Sequence, residues 1–257
     1  MLALAIATAA WRRRSLRGDG AVAAAIVGTI ALRAGWAWGS VLIVWFVWAT
    51  IGSRLGRERK QARTAGMLDK GAQRDARQVV ANGGIYALAA ASSLLWGDPA
   101  SEAALWGAAA LTAAGADTMA TEIGTWIGGT PRSVRTGRPV PTGTSGAVSL
   151  AGCVAMLGSA LVLTAVAVAF GLVPTQQWWI VAVSAVSGAV ADTIAGELVQ
   201  QRRWCPSCDT ATEQHRHACG TVTQHRGGVR WVGNDAVNLI CTGSAALLAW
   251  LLARPLG

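Results

Sequence analysis

Residues 146–170, GAVSLAGCVAMLGSALVLTAVAVAF, contain no Asp, Glu, Lys or Arg. A helix of about 20 apolar residues crosses the hydrocarbon core of a bilayer, so this run predicts a membrane span. Further runs of this kind lie on both sides of it, at 20–34, 36–52, 80–96, 102–122, 177–199 and 235–253, while residues 1–11 form a run too short to cross alone. The composition agrees, because only 14% of the residues are charged, against roughly 25% in soluble domains. The sequence therefore predicts one domain, 1–257: an all-α, polytopic transmembrane bundle of about seven to eight spans.

Lys and Arg are concentrated in every second connection between the predicted spans. These basic connections are 12–17, 53–78, 127–144 and 200–233. Basic residues are retained on the cytoplasmic side during insertion, so we expect a multi-pass protein of the cell membrane with these four connections in the cytoplasm. The same rule accounts for the net charge of +9 without a nucleic-acid partner. A buried helical core in a large soluble protein would not show this alternation.

One acidic motif occurs twice in the chain. Residues 116–122 are ADTMATE and residues 191–197 are ADTIAGE, each near the predicted cytoplasmic end of a span. Two spans per unit, running in the same direction, would make a parallel internal repeat. A carboxylate inside a span costs about 2.5–3.5 kcal/mol, which points to a ligand such as Mg²⁺, since this ion bridges carboxylates to phosphates. The alternative is that each acid caps a helix or pairs with a loop arginine.

The spacing within the motif limits how its acids can act together. Asp and Glu five positions apart point about 140° from each other on a straight helix. A single narrow site would therefore need an interrupted helix, which the glycines of both copies would permit, or partners on both sides. The catalytic candidates are Asp117, Glu122, Asp192 and Asp235, with Asp117 and Asp192 as the Mg²⁺ ligands.

The connection between the two copies combines arginines with a glycine-rich turn. Residues 129–149 are GTPRSVRTGRPVPTGTSGAVS and lead directly into an apolar run. Glycine lets the backbone approach a ligand closely, and the free N–H groups at a helix start attract anions. Simple N-capping by Ser or Thr is the alternative. Two asparagines at the start of the last span, Asn234 and Asn238, are included in the same predicted site. The nucleotide-binding candidates are therefore Arg132, Arg135, Arg138, Gly143, Thr144, Ser145, Gly146, Asn234 and Asn238.

A second polar segment, KGAQRDARQVVANGG at 70–84, leads into the span at 80–96. Its substrate-binding candidates are Lys70, Arg74, Arg77, Gln78 and Asn82. For the basic residues, an amphipathic helix lying on anionic lipid is the alternative. All the polar groups converge on the cytoplasmic edge of the bilayer. A site at this edge would meet a lipid by its headgroup and a nucleotide from the cytosol.

Cysteine and histidine are concentrated in the connection 200–233. A C-P-S-C sequence at 205–208 is followed by His215, His217, Cys219 and His225. This spacing is typical of structural zinc, which folds loops that are too small to have a core. The predicted ligands are Cys205, Cys208 and Cys219, with His217 or His225 as the fourth. A redox pair and an unstructured loop are the alternatives.

Together these motifs resemble the integral membrane family that includes the plant phytyl-phosphate kinase. The resemblance is carried by GDGAVAAAIVGT (18–29), RDARQVVANGG (74–84), ADTMATEIG (116–124), RPVPTGTSGAVSLAG (138–152), DTIAGE (192–197), the CPSC loop and GNDAVNL (233–239). It implies Mg²⁺-dependent phosphorylation of an isoprenoid monophosphate (phytyl- or geranylgeranyl-like) to its diphosphate, with CTP as donor. It also implies distant kinship to dolichol kinases and CDP-diacylglycerol synthases. Members usually have D-S-L-L-G where this chain has DTIAG at 192–196, which leaves the role of Glu197 open.

This interpretation distributes the roles among the candidates. The two repeated aspartates would hold Mg²⁺ on the donor phosphates, supported by Glu122 and Asp235. The arginines and the glycine-rich turn would clamp phosphate oxygens, and the segment 70–82 would hold the acceptor. The expected partners are the lipid bilayer, an isoprenoid monophosphate and a nucleoside triphosphate, with a homo-oligomer left open. A lipid transporter or flippase, and a cytidylyltransferase acting on a lipid phosphate, are the alternative functions.

Overall fold

The computed structural model describes residues 1–64, 67, 73–96 and 102–254. Within these ranges the helices are α1 (Leu2–Arg12), α2 (Gly18–Ala34), α3 (Trp36–Arg54), α4 (Arg57–Arg63), α5 (Ala76–Trp96), α6 (Glu102–Ile127), α7 (Leu150–Ala169), α8 (Trp178–Leu198) and α9 (Asn234–Ala253). Each predicted span corresponds to one helix, with boundaries that differ by a few residues. The short helix α4 lies in the connection 53–78, where no helix was predicted.

Five of the described helices, α3, α5, α7, α8 and α9, are long and apolar enough to cross a membrane. Helix α2 has 17 residues, and α6, with 26 residues, consists largely of Ala and Gly and carries acids. Helix α1 has 11 residues. The prediction of an all-α, polytopic membrane protein is confirmed.

Helix α6 lies at the centre of the bundle, in contact with α3, α4, α5, α7, α8 and α9. Its buried residues are mostly Ala and Gly. Gly115, for example, faces the side chains of Trp45 and Leu163. Because small residues let helices approach closely within a membrane, α6 can hold the first acidic motif among six neighbouring helices.

The outer surface of the bundle carries the large aliphatic side chains. Val22, Leu88, Leu150 and Val154 are all more than 60% exposed. Small residues inside and large apolar residues outside are the distribution expected when lipid surrounds the helices, because burial from water no longer drives large apolar side chains inward. The surface therefore agrees with the membrane assignment.

The helix ends that adjoin the basic connections lie together at one end of the bundle. We call this the basic end, and it comprises residues 12–17, 53–64, 73–75, 128–149 and 199–233. The backbone N–H of Arg17 donates to the carbonyl of Arg74 at 2.9 Å, and the N–H of Arg74 donates to the carbonyl of Ser15 at 3.1 Å. Arg54 reaches the Ser15 hydroxyl at 3.1 Å. These bonds join the α1–α2 connection to α3 and to the start of α5.

Two small antiparallel sheets, which were not predicted, lie at the basic end. Strand β1 (Arg132–Ser133) pairs with β2 (Ala147–Val148) and closes the glycine-rich connection. Strand β3 (Arg202–Cys205) pairs with both β4 (Thr210–Thr212) and β5 (Gln224–Gly227), in the order β4-β3-β5. The second sheet organises the cysteine- and histidine-rich connection.

Candidate functional site

The two copies of the acidic motif meet at the centre of the bundle. Helices α6 and α8 both end at the basic end and pack against each other, and the carboxyl groups of Asp117 and Asp192 lie close enough to interact electrostatically across this contact. In each copy the threonine after the aspartate donates its hydroxyl to the carbonyl four residues earlier, at 2.7 Å for Thr118 and 3.1 Å for Thr193. The parallel repeat therefore pairs its two aspartates in matching local surroundings.

The surroundings of this aspartate pair suit a cation. The Oδ2 atom of Asp192 is buried and has no hydrogen-bond partner among the described residues. Two buried carboxylates that lie close together repel each other unless one of them carries a proton, and a divalent cation bound by both can take the place of that proton. The Cys241 thiol on α9 lies close enough to interact electrostatically with both carboxyls. This oxygen donor set fits the predicted Mg²⁺.

Helix α9 carries polar residues from the basic end toward the aspartate pair. Asn234, Asn238 and Cys241 are spaced four and three residues apart, which places them on one face of the helix. Asp235 lies in the first turn of the helix. The predicted amides therefore lie on the approach to the pair, and the supporting role of Asp235 stays a prediction.

The glutamate of the first motif has a different neighbour from its aspartate. Helix α6 is continuous, so the interruption that would bring both acids into one narrow site is not present. Glu122 forms an ion pair with Lys60 of α4. Lys60 is only 7% exposed, and its Nζ also donates to the carbonyls of Gly52 and Ser53, at 2.9 and 3.0 Å. Lys60 thus offsets both the charge of Glu122 and the partial negative charge at the C-terminal end of α3. A role for Glu122 beside the metal stays a prediction.

The glutamate of the second motif is paired in a similar way. The Glu197 side chain is 5% exposed and lies 3.4 Å from both Arg135 Nε and Arg202 Nη2. Helix α8 is also continuous through the motif. Among the described residues, pairing with a basic residue, the alternative for the acids, therefore applies to both glutamates of the motif but to neither of its aspartates. For Glu197, whose role was left open, it indicates that the residue anchors the glycine-rich connection and β3 to the end of α8.

The glycine-rich turn packs against the end of α8. Gly146 has a φ of +74°, and a Cβ at this position would overlap the backbone of Glu197. The Ser145 hydroxyl donates to Gln200 Oε1 at 2.7 Å, and Gln200 Nε2 donates to Glu213 Oε1 at 2.7 Å. Two of the residues predicted to bind phosphate therefore hold the turn in place.

The three arginines predicted to clamp phosphate do not converge. Arg132 donates to the carbonyl of Gly137 in its own connection at 2.8 Å, and Arg135 faces Glu197. Arg138 is exposed at the surface of the basic end. The hydroxyl of Thr144 donates to the carbonyl of Pro141 at 2.8 Å, so it too is engaged within the connection.

Some basic residues that organise the site were not singled out in the sequence. Arg63 of α4 donates to the carbonyl of Thr125 at 2.7 Å, to the carbonyl of Gly129 and to the hydroxyl of Thr142 at 3.1 Å. It joins the end of α6 to the glycine-rich connection. The one signal for Arg63 and for Lys60 was the density of basic residues in 53–78, which does not separate structural cations from surface ones.

An apolar pocket of about 80 Å³ lies between α1, α2, α3 and α5. Its polar lining consists of Arg74, Gln78 and Asn82, three of the predicted substrate-binding residues. Arg77 is exposed and does not line the pocket. Lys70 lies outside the described residues.

The Arg74 side chain is held at the end of the pocket nearest the basic end. Its Nη2 donates to the carbonyl of Ala49 at 3.1 Å and contacts the Ser53 hydroxyl at 3.2 Å, and its guanidinium lies 6.0 Å from the centre of the Phe46 ring. Burial lowers the pKa of Arg74, and the charge of Glu122 opposes that shift. An arginine keeps its charge in proteins, so Arg74 presents a positioned cation to the pocket.

Helices α3 and α5, which line the pocket, pack against α6, which carries Asp117. Trp45 lines the pocket and also faces α6 at Gly115, two residues before Asp117. Helix α5, whose Asn82 lines the pocket, is bonded to α9 beside the pair, because Thr242 donates to the carbonyl that precedes Asn82 at 3.0 Å. A head group held at the polar lining would therefore be close to the pair.

Four ligand-type side chains converge in the connection 200–233. The Sγ atoms of Cys205, Cys208 and Cys219 and a ring nitrogen of His217 all lie within 4.8 Å of one another. The Nε2 atom of His225 lies instead 3.1 Å from a backbone carbonyl. Of the two predicted fourth ligands, the structure brings His217 to the cysteines.

The thiols of this cluster influence one another's protonation. Hydrogen bonds with the side chains of Thr221 and His217 lower the pKa of Cys219 to about 5. The hydrogen bond with Cys219 in turn raises the pKa of Cys208 to about 11. A thiolate beside other thiols makes their deprotonation harder, and a divalent cation bound by all of them would relieve that repulsion.

Comparison with known proteins places these features in a family. The chain is 26% identical to Protein PGR of Arabidopsis thaliana over 258 residues, which is 91% of this chain and 88% of that protein. No solved structure matches the chain. Residues 1–246 match the family described as integral membrane protein DUF92, a range that includes the aspartate pair, the pocket and the cysteine cluster. The chain therefore belongs to the DUF92 family of integral membrane proteins.

Proposed function

We propose that this protein is a membrane-embedded kinase that transfers a phosphoryl group from a nucleoside triphosphate, CTP, to an isoprenoid monophosphate. The observation that carries the proposal is the proximity of the aspartate pair to an apolar pocket with a cationic lining. Acids within a membrane helix are costly and mark functional sites, and a pocket with apolar walls and a cationic lining matches the chemistry of an anionic head with an apolar tail. The resemblance of the motifs to prenyl-phosphate kinases supplies the reaction class.

The acceptor would occupy the pocket, with its tail among the apolar side chains of α1, α2 and α3. Its phosphate would lie at Arg74, Gln78 and Asn82, where one guanidinium and two amides offer hydrogen-bond donors. Arg74 would offset the charge that repels two phosphates from each other. Trp45 and the tightly packed small residues of α6 would exclude bulk water, which limits hydrolysis of the donor.

The donor would approach from the basic end. Asn234 and Asn238 lie on the face of α9 that leads to the aspartate pair, and Arg138 is exposed on the glycine-rich connection. Asp117 and Asp192 would hold Mg²⁺, which when bound offsets the charge of the donor phosphates. The buried, unpartnered Oδ2 of Asp192 supports this assignment.

The reaction itself needs little covalent help from the protein. An oxygen of the acceptor phosphate attacks the γ-phosphorus of the donor, the bond between the γ-phosphorus and the β,γ-bridging oxygen breaks, and the nucleoside diphosphate leaves. The acceptor oxygen is already anionic, so a general base is not required. Catalysis then depends mainly on in-line positioning and charge neutralisation, which the paired aspartates and Arg74 would provide from fixed positions.

The test is an assay of purified protein in liposomes with Mg²⁺, radiolabelled CTP or ATP, and geranylgeranyl or phytyl monophosphate. Transfer of a γ-label to a prenyl diphosphate, with release of CDP, is the expected result. Release of inorganic diphosphate, with a cytidylyl group on the lipid, would replace the kinase by a cytidylyltransferase. Lipid movement across the membrane without either product would replace it by a transporter.

The basic end is proposed to face the cytoplasm, because it carries most of the Lys and Arg of the chain. Arg33, near the end of α2, would then lie on the opposite side of the cell membrane. In intact cells, a membrane-impermeant maleimide should label a cysteine introduced at Arg33 above the level of the unaltered protein. A cysteine introduced at Arg138 should be labelled only after lysis, and the reverse pattern would contradict the orientation.

A further inference from the structure

The cysteine- and histidine-rich connection has the geometry of a metal site. Cys205 ends β3, Cys208 lies in the turn that leads to β4, and Cys219 and His217 come from the segment between β4 and β5. Cys205 is fully buried, whereas the other three side chains are partly or fully exposed. Residues from two separate segments are thus brought around one point by the β4-β3-β5 sheet.

Two distances within the cluster are close to those of tetrahedral coordination. The Sγ atoms of Cys205 and Cys219 are 3.6 Å apart, and Nδ1 of His217 is 3.3 Å from Cys219 Sγ. A tetrahedron with metal–sulfur bonds of about 2.3 Å and metal–nitrogen bonds of about 2.0 Å has edges of about 3.5–3.8 Å. The observed separations are close to these edges.

The cluster also contains more ligands than a redox pair would use. A disulfide requires two thiols, whereas here a third thiol and an imidazole nitrogen share the same point. The Thr221 hydroxyl lies 3.4 Å from Cys219 Sγ, as outer-shell partners of metal-bound thiolates do. Three thiolates and one imidazole are a donor set typical of structural zinc.

The connection has almost no apolar core of its own. Among its described residues the buried side chains are Cys205 of the cluster itself, the polar Gln200, Thr212 and Thr223, and Val232 at its end. Nevertheless it holds fixed contacts with the rest of the basic end. The backbone N–H of Glu213 donates to the carbonyl of Met67 at 2.8 Å, and its carboxylate accepts from Gln200. A segment of this kind needs a cross-link to keep such contacts.

We propose that Cys205, Cys208, Cys219 and the Nδ1 atom of His217 bind one structural Zn²⁺. The ion joins the β3–β4 turn to the 217–219 segment and so holds the sheet in the position from which Glu213 reaches Gln200. Gln200 contacts Ser145, so the metal indirectly steadies the glycine-rich turn. The zinc site does not depend on the proposed kinase activity, since it lies outside the aspartate pair and the pocket.

Metal analysis of the purified full-length protein tests this directly. Elemental mass spectrometry should find about one zinc per chain, the content of a closed four-ligand site. The variants C208S and H217A should lose most of it, whereas the matched controls H225A and C153S should retain it. H217C should also retain zinc, because it replaces one ligand by another, and this variant separates loss of a ligand from loss of folding.

Cobalt substitution and proteolysis give two further readouts that need no substrate. Cobalt(II) bound at this site should show the absorption of tetrahedral thiolate coordination, with a changed spectrum in H217C. A strong chelator should make 200–233 cleavable by protease while α8 and α9 stay protected. Absence of metal from the native protein, equal zinc in H217A and H225A, or a disulfide among these cysteines by mass spectrometry under non-reducing conditions would each overturn the zinc site. A failed kinase assay would leave all of these results unchanged.

Discussion

Asp117 and Asp192 are 75 positions apart in the sequence, yet their carboxyl groups lie close enough to interact electrostatically at the contact of two parallel helices. Each occupies the same place in its copy of the repeat. The glutamates that follow them diverge, one toward Lys60 and the other toward the arginines of the basic end. The repeat thus combines one shared acidic centre with two separate anchors.

Neutralising one member of the aspartate pair should abolish turnover and leave the fold intact. Asp117→Asn keeps the size of the side chain but removes one anionic ligand. We expect kcat to fall by about 10²-fold or more, the usual cost of removing one charge-stabilising group. Prenyl diphosphate formation in liposomes measures this, with the melting temperature in detergent as the check on folding.

The matched control for that variant is Glu102→Gln. Glu102 lies in the first turn of the same helix and is exposed at the opposite end from the basic end, so its neutralisation should leave kcat unchanged. Full activity of Asp117→Asn would remove the aspartate pair from the mechanism. An equal loss in both variants would indicate a general effect of charge on α6.

The spans could be predicted because an apolar run of about 20 residues is a local criterion that does not depend on packing. The depth of the acids was likewise predictable, since the motif occurs near the same end of two runs. Their partners were not. On a continuous helix Asp117 and Glu122 must face different neighbours, and only the packing of α6 against α4 and α8 identifies Lys60 and Asp192 as those neighbours.

The same limit applies to the pocket and to the cysteine cluster. The apolar walls of the pocket come from four helices, whose relative positions a span prediction does not contain. His217 and His225 both have a spacing that suits a zinc ligand. The choice between them depends on β5, because His225 lies in this strand, opposite Arg203, and its Nε2 contacts a backbone carbonyl instead.

Removal of the Lys60 charge should destabilise the protein, because it leaves the Glu122 carboxylate without its cationic partner. Breaking a buried ion pair costs about 3–5 kcal/mol, and we expect Lys60→Met to cost somewhat less, about 2–3 kcal/mol, because Glu122 is 24% exposed. Unfolding by denaturant in detergent micelles measures the difference. Arg59→Met, on the exposed face of the same short helix, is the control and should have little effect.

A double variant separates the ion pair from the capping of α3. Lys60→Met combined with Glu122→Leu removes both charges, so it should recover part of the stability that Lys60→Met alone loses. The loss of stability in the double variant is compared with the sum of the losses in Lys60→Met alone and Glu122→Leu alone. If the two are equal, the ion pair contributes nothing, and the hydrogen bonds from Lys60 to the α3 carbonyls account for the effect.

The glycine-rich turn should depend on the absence of a side chain at Gly146. Gly146 and Gly137 have similar positive φ values, +74° and +67°, but only a Cβ at Gly146 meets other atoms, those of Glu197. Both alanine substitutions carry a backbone cost of about 1–2 kcal/mol, and Gly146→Ala should cost about 1–3 kcal/mol more through overpacking. Thermal unfolding of the two variants isolates this second contribution, and equal losses would show that the contact is not required.

A bulky side chain within the pocket should discriminate between acceptors by the length of their tails. Ala24 of α2 lines the pocket, whereas Val22 of the same helix is 63% exposed on the outer surface. Ala24→Phe should raise the KM for geranylgeranyl monophosphate by about 10-fold or more, a typical effect of a steric change in an apolar pocket. The KM for a short-chain prenyl monophosphate and the KM for CTP should change little, because the polar lining and the aspartate pair are untouched.

Val22→Phe is the control and should have the same KM values as the unaltered protein. A KM for the long acceptor that is the same in Ala24→Phe and Val22→Phe would mean that the tail binds elsewhere, and Arg74 would then lose its assignment as the residue that meets the acceptor phosphate.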